Sequence, residues 1–302
     1  MTRHPYATER YAASLQHWGT SIDVPEWGTS VIVRSFLQKH KDAAGPYPLC
    51  MLSAEADIPA GLERLKRMGL VSVVLVVDSA VFNDQPELGR YFDMVSPFKS
   101  HFIYQRSEAP FQYSSHHRYE VKFATKRVEV RPFDPKNDMT EWIGLYSSLV
   151  ERHQLVGLHA FPTSSLEICA SLDGFFGLAA WIDDNMVSCH LWVQHGDRAH
   201  SHLAASNTQG YTSRAAYALN DAMINSQWAK NLSELNFGGG AGTGNDPDDG
   251  LSKFKRGFSN RIDRSYICGK VLDLDKYLAL SQATKNTTTA AFFPAYRSPQ
   301  SN

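Results

Sequence analysis

The residues best suited to chemistry lie in one run of the second half. It reads Leu235-Asn236-Phe237-Gly238-Gly239-Gly240-Ala241-Gly242-Thr243-Gly244 and resumes as Asp248-Asp249-Gly250-Leu251-Ser252-Lys253-Phe254-Lys255-Arg256-Gly257-Phe258. A strand-like segment enters a turn so rich in glycine that its backbone must pass close to something or adopt positive φ. Asp248 or Asp249 is placed to cap the helix that follows. On that helix Leu251, Phe254 and Phe258 fall on one apolar stripe, and Lys255 falls on the same side. An ammonium facing inward costs desolvation free energy unless it meets negative charge. A ligand phosphate or the oxyanion of a reacting carbonyl is such a partner, which makes Lys255 the candidate catalytic residue. The competing reading is a lysine whose stem lies along the stripe and whose head reaches water; the stripe alone does not separate the two. The run contains no G-K-[ST] and no G-x-G-x-x-G, so it is neither a P-loop nor a dinucleotide fingerprint.

Other constellations carry less. His190, His195, His200 and His202 fall on adjacent strand-like segments. They are readable as a metal site, as a base near a bound donor, or as hydrogen-bonded sheet histidines. With no H-E-x-x-H and no cysteine at ligand spacing, no metal is assigned, and His202 is kept as a substrate contact. There is no G-x-S-x-G elbow. The four cysteines, Cys50, Cys169, Cys189 and Cys268, are scattered without a C-x-x-C pair and read as reduced, buried thiols. A covalent acyl-enzyme is not expected, and no general base is assignable: water, the substrate or an acid such as Asp221 would take the proton.

The elements that must position these residues follow from periodicity and turn signals. The first half gives strands at 30–36, 70–77 and 101–104, with helices at 59–68 and 85–91. The segment 107–115 (SEAPFQYSS) marks a boundary. A basic helix at 116–127, a strand at 128–132, and helices at 139–153 and 163–172 follow. Next come strands at 175–182, 186–195 and 198–205, joined by tight turns. A long helix at 212–230, a strand at 234–237, a short helix at 249–258 and a strand at 265–271 complete the order. Domains are therefore expected at 1–112 and 113–284, with a flexible tail at 285–302. The order from residue 128 onward resembles that of a GNAT acyltransferase core, in which a splayed mixed sheet holds the acyl donor.

LNFGGG followed by DGLSKFKRGFS resembles the C-terminal signature of the FemABX-like group of GNAT-fold transferases, which includes aminoacyl-tRNA-dependent enzymes that add amino acids to peptidoglycan precursors. The resemblance extends from SSHHRYEVKFATKRVEV to the last strand. In the first half, Gly45-Pro46-Tyr47-Pro48 and Phe98-Lys99-Ser100-His101 look like the degraded second unit such proteins carry. The resemblance implies a mixed α/β (α+β) fold of tandem GNAT-like domains, each a splayed mixed sheet flanked by helices, with donor and acceptor meeting between the halves. It maps the family's charge-compensating lysine onto Lys255, makes Phe254 its neighbour in the site, and makes Gly238, Gly239 and Gly240 substrate-cradling positions. The peptidoglycan enzymes carry an Arg and a Tyr after the first helices of the second domain. Here that stretch is LVGLHAFPTSS, which offers His159 instead, so the acceptor is expected to be some other peptide or small amine.

An acetyl-CoA-dependent relative would carry Q/R-x-x-G-x-G/A before a helix, to hold a pyrophosphate on backbone N–H groups. The matching segment, 205–214, has one glycine, a bulky Tyr211 where a small residue is wanted, and Arg214 nearby. Aminoacyl-tRNA is thus the expected co-substrate, with acyl-CoA as the alternative donor and a non-catalytic GNAT-fold binding protein as the alternative function; no other cofactor is implied. Lys253, Arg256, Arg261, Arg264 and Lys270, with Arg118, Lys122, Lys126 and Arg127, would meet tRNA phosphates; their plainer reading is solvated charge.

Composition is compatible with this. The 302 residues, 43% hydrophobic and 20% charged, suit two globular domains. A net charge of -1 excludes a basic footprint over the whole chain. The start shows no apolar signal region, and 70–77 is too short to span a bilayer. The expectation is a cytoplasmic protein, not inserted in membrane, whose oligomeric state the sequence leaves open, a monomer being plausible.

Overall fold

A computed structural model describes residues 3–78, 85–108, 111–242, 246, 248–285 and 292–298. The chain forms two compact units, Met1–Phe98 with Arg264–Asn302, and Lys99–Asp263. In chain order the elements are α1 (Glu9–Ser14), β1 (Thr20–Val24), β2 (Thr29–Phe36), β3 (His40–Ala44), α2 (Ile58–Arg67), β4 (Ser72–Asp78), α3 (Gln85–Leu88) and β5 (Met94–Gln105). They continue as α4 (Ser115–Ala124), β6 (Glu129–Pro132), α5 (Met139–His153), α6 (Thr163–Ala170), β7 (Phe175–Ile182), β8 (Asn185–His195) and β9 (Arg198–Ser206). The last are α7 (Thr208–Thr212), α8 (Ala215–Asn225), β10 (Glu234–Asn236), α9 (Gly250–Arg256), β11 (Arg261–Val271) and α10 (Leu274–Ala283).

In the first unit β4 is the central strand. Its run of valine and leucine suits a strand covered on both faces; it pairs parallel with β3 and antiparallel with β11. β2 and then β1 extend the sheet antiparallel. Helix α2 begins where Asp57 accepts a hydrogen bond from the Ala60 N–H at 3.0 Å, the cap its sequence forecasts. It buries Ile58, Leu62 and Leu65 in a core with Trp27, Val73, Leu75 and Val77.

This unit corrects two expectations. The boundaries fall inside β5 and β11, not at 112/113 and 284. The chain returns because β11 from Ser265 onward pairs along β4, and α10 packs against Val71. The expected flexible tail is, over 292–298, part of the core: Tyr296 is 2% exposed beside Tyr277 and Leu280. Its hydroxyl donates to Asp42 at 3.0 Å, and Arg297 pairs with the same carboxylate at 2.5 Å. The aromatic residues decide this outcome against the Thr/Ser/Pro composition around them; 286–291 and 299–302 lie outside the described residues.

In the second unit the sheet order is β5-β10-β9-β8-β7-β6. β7, β8 and β9 form the antiparallel meander that the turn signals predict, and β6 pairs antiparallel with β7 at its edge. β10 pairs parallel with β9 and antiparallel with β5. β10 is only three residues long and ends at Asn236↔His200, whereas β9 continues to Ser206. The sheet is therefore mixed and unevenly paired where the glycine turn begins. Core residues Trp192, Leu219, Met223, Leu235, Phe237 and Phe258 join sheet, α8 and α9. The long helix expected at 212–230 is instead α7, α8 and a 3-10 turn at Gln227–Ala229; the break falls at Arg214, whose φ is 61°. The strand expected at 101–104 is the end of the longer β5.

Candidate active site

The glycine turn after β10 is held open by lysines. Asn236 Oδ1 accepts from the Gly238 N–H at 2.7 Å, an Asx turn that starts the bend. Gly238 has φ +75°, and a Cβ there would stand 3.4 Å from Lys255 Nζ. Its carbonyl accepts from the Phe102 N–H at 3.2 Å. The next carbonyls turn toward cations. Lys255 Nζ donates to Gly239 O at 2.6 Å. Lys99 Nζ lies 3.3, 3.1 and 2.5 Å from the carbonyl oxygens of Gly240, Ala241 and Gly242. The turn thus presents its partial negative charge to a pair of ammonium groups.

Helix α9 positions Lys255. Asp249 caps it, accepting from the Leu251 and Ser252 N–H groups at 2.9 and 3.0 Å, while the Ser252 hydroxyl donates to its other oxygen. A Cβ on Gly240 would stand 2.5 Å from Asp249 Oδ2, so turn and helix start are packed in contact. At the other end His117 of α4 donates from Nε2 to the Phe254 carbonyl at 3.0 Å. Phe254 meets Tyr217 edge-on at 4.9 Å and Phe258 at 5.3 Å. The stripe read from sequence holds at Phe254 and Phe258. It fails at Leu251, which is 39% exposed; the inward position is taken by the adjacent Ser252, 4% exposed.

The Lys255 ammonium is desolvated, not in bulk water. Burial above all, and then the charge of Lys99, push it down to about 8, against the pull of Asp249. Lys99 is itself lowered by burial. Around them lie imidazoles. His101 is pushed down to about 4 by burial and by Lys255, with Asn236 Nδ2 3.2 Å from its Nδ1. His200 stacks tilted on His101 at 5.7 Å. His190, down to about 3 for the same two reasons, lies 2.7 Å from Ser201 Oγ.

The remaining candidates distribute unevenly. His159 is lowered by burial and by the charge of Lys99, which places it in the same electrostatic field. His202 is buried, down to about 3, with its ring edge-on to Phe175 and Phe161. Tyr211 is 43% exposed beneath the Arg152 guanidinium, and Arg214 pairs with Glu120 at 3.3 Å. Gly239 packs on the Lys99 stem. Asp221 is engaged by the Tyr113 hydroxyl and the Asn225 amide, each at 2.8 Å.

Of the cations expected to meet phosphate, Lys253, Arg256, Lys122 and Lys126 are exposed. Lys253 has Asp248 at 3.5 Å, and Arg256 lies over the Phe102 ring at 5.8 Å. Arg261 is committed elsewhere: it pairs with Glu234 at 2.8 Å, Asp263 at 2.9 Å and Glu108 at 3.5 Å. Burial opposes its charge, but Asp263 and Glu234 hold it protonated. Arg264 and Lys270 belong to the first unit, where Lys270 pairs with Asp93 at 2.6 Å. All four cysteines are free and buried, and burial pushes Cys50 up to about 12. Among the described residues no group of His, Cys, Asp and Glu has the arrangement of a metal site, and no helix is long and apolar enough to cross a membrane.

Lys99 and His101 were missed in the sequence as site residues. Their signal was the period-two alternation Lys99, His101, Ile103, which places them on one face of a strand that the sequence reading began only at residue 101.

Residues 182–270 match the sequence model of the FemAB family, a span that contains the glycine turn and Lys255. No curated protein matches the chain. Among solved structures, FemX aligns with TM-score 0.58 and 10% identity, covering 83% of this chain and 86% of its own. The C-terminal domain of a putative lysylphosphatidylglycerol synthetase from Agrobacterium fabrum aligns with TM-score 0.63, 12% identity and 91% coverage of both chains. L-PGS from Bacillus licheniformis aligns with TM-score 0.56 and 12% identity, covering 89% and 93%. These likenesses show a shared mixed α/β fold, and the FemAB match bears out the resemblance read from the GGG…FK run.

Proposed function

From the premise that the chain is FemABX-like, we propose that it is an acyltransferase moving an aminoacyl group from aminoacyl-tRNA to an amine of a peptide or small molecule, with formation of an amide. The observation that carries this reading is the Lys255 ammonium, desolvated and fixed on the Gly239 carbonyl at the point where β10 ends. The acceptor nitrogen attacks the ester carbonyl carbon, and the carbonyl oxygen gains negative charge. Lys255 stabilises that oxyanion from a fixed position, which supplies roughly 3 kcal/mol of barrier lowering. Collapse breaks the ester C–O bond; overall the amine loses one proton and the released ribose oxygen gains one. Lys253, Arg256, Lys122 and Lys126 are exposed and would meet tRNA phosphates, so donor binding should weaken steeply with salt. A charged tRNA is a cytoplasmic substrate, which sets the compartment of the reaction.

Incubation with charged tRNA, or with acetyl-CoA, and a panel of peptide and small-molecule amines tests the donor. Amide formation with deacylation of charged tRNA is expected. Thiol release from acetyl-CoA without tRNA turnover overturns the donor, and amine-dependent turnover of neither leaves only a binding protein. Transfer to phosphatidylglycerol in place of an amine overturns the acceptor.

A further inference from the structure

We propose that Lys99 is a positioning residue for Lys255: it ties down the carbonyls of Gly240, Ala241 and Gly242, so that the Gly239 carbonyl stays on the Lys255 ammonium, and it sets a second positive charge beside that ammonium. The inference rests on the transferase reading for its role in the reaction, but not for its geometry.

Lys99 is 8% exposed, and its stem packs against Gly239, where a Cβ would stand 3.1 Å from Lys99 Cβ. A side chain at Gly239 would displace either the lysine or the turn. The turn has few side chains of its own with which to hold a conformation, and glycine-rich backbone loses more entropy on ordering than any other. A single ammonium bridging successive carbonyls supplies the missing restraint. Its bonds are charge-assisted, the one to Gly242 the shortest at 2.5 Å.

The second effect is electrostatic. Like charges brought together out of water each disfavour the protonated state of the other. The charged groups acting on Lys255 are Lys99 of β5 and Asp249 at the start of α9; the imidazoles in the same field are His101 of β5, on which Asp263 of β11 also acts, His190 of β8, and His159, lowered by Lys99. The imidazoles are neutral at working pH, so the balance is between Lys99 and Asp249. Asp249 spends its acceptor capacity on the α9 cap and on Ser252. Lys99 thus opposes Asp249 in setting the protonation of Lys255.

Reductive ¹³C-methylation of the full-length protein and NMR titration of the lysine signals, with Lys255 assigned by its loss in Lys255→Arg, measures this directly. Lys99→Gln supplies an amide donor for the carbonyls without the charge; Lys99→Arg supplies guanidinium donors and keeps the charge. The Lys255 midpoint should rise by about one pH unit or more in Lys99→Gln and stay in place in Lys99→Arg. The alkaline limb of kcat/KM should move with it, with kcat reduced more than KM is raised. An unmoved midpoint in folded Lys99→Gln, or equal midpoints in the two variants, overturns the proposal. Loss of the transferase reading leaves a different signature, in which the midpoint moves as stated while no acyl transfer is found with charged tRNA in any variant.

Discussion

Two strand-to-helix junctions of the second unit have similar starting material and opposite polarity. At β9–α7 a strand runs into a short helix through Asn207, and at β10–α9 a strand runs into a short helix through the glycine turn. The first junction is capped by Asn207. Asn207 Oδ1 accepts from the Gly210 N–H at 2.9 Å, Gly210 lies against the Val187 carbonyl, and Arg214 turns away to Glu120. No ammonium donates to its backbone in the contacts described. The second junction points carbonyls at Lys99 and Lys255. Asn207 caps one N–H at the start of α7 and Asp249 caps two at the start of α9, so the junctions differ in the ammonium groups seated on the carbonyls of the second, a charge that on the proposed reading meets a developing oxyanion. On the proposed reading the second junction is the one equipped for chemistry.

Removing the charge at the second junction gives the largest expected effect. Lys255→Met should lower kcat/KM by about 10²–10³-fold, measured with charged tRNA and an amine acceptor, with the circular dichroism of the folded protein retained. Turnover near that of the unmodified protein removes Lys255 from the mechanism and the contrast between the junctions with it.

Next is a matched pair of glycine substitutions. A Cβ at Gly240 would crowd Ser252 and Asp249, and a Cβ at Gly210 would overlap the Val187 carbonyl oxygen. Each Gly→Ala change should destabilise by about 1–3 kcal/mol, the usual range for overpacking, read from denaturant midpoints. They differ in activity per folded molecule. Gly240→Ala shifts the cap of the helix that carries Lys255 and should depress kcat; Gly210→Ala should leave kcat nearly unchanged. The reverse result would move the donor to the β9–α7 junction and favour acyl-CoA.

A smaller effect appears as pH dependence. Lys255 is lowered to about 8, so its ammonium is present below that pH and is lost as pH rises through it. Oxyanion stabilisation should fall about tenfold per pH unit on the alkaline side. Deprotonation of the acceptor amine works in the opposite direction, so the informative quantity is the ratio to Lys255→Arg, which keeps its charge throughout. That ratio should decline above about pH 8, and a flat ratio from pH 7 to 10 would show that the protonation of Lys255 is irrelevant.

Much of the second junction was legible because glycine, an aspartate cap and a lysine on an aromatic stripe each have a local physical meaning. The fold order of the second unit was legible for the same reason: its hairpins are marked by Asp-Asp-Asn and Gly-Asp turns. Lys99 was hidden because its contribution depends on strand pairing far away in sequence, Asn236 with Ile103. The domain boundaries were hidden because β11 pairs with β4 across most of the chain length. Tyr296 was hidden because its neighbours have the composition of a loose tail, and burial is decided by its ring and by Asp42. Leu251 was misjudged because a helical stripe does not say which of two adjacent positions a capped first turn rotates inward.

The smallest expected effect comes from the charged residue that sequence placed at the first junction. Arg214 has a side chain 52% exposed and one carboxylate partner, Glu120, at 3.3 Å. Its backbone, at φ 61°, is in the left-handed region, so alanine changes charge without relieving backbone strain. A partly exposed pair of this kind contributes at most about 1 kcal/mol, and the guanidinium is directed at Glu120, not at the helix start. Arg214→Ala should therefore change stability by less than about 1 kcal/mol and leave kcat/KM within about twofold, a factor that corresponds to under 0.5 kcal/mol. A loss of tenfold or more, confined to KM for the donor, would mean that Arg214 leaves Glu120 when substrate arrives and that the β9–α7 junction takes part in binding after all.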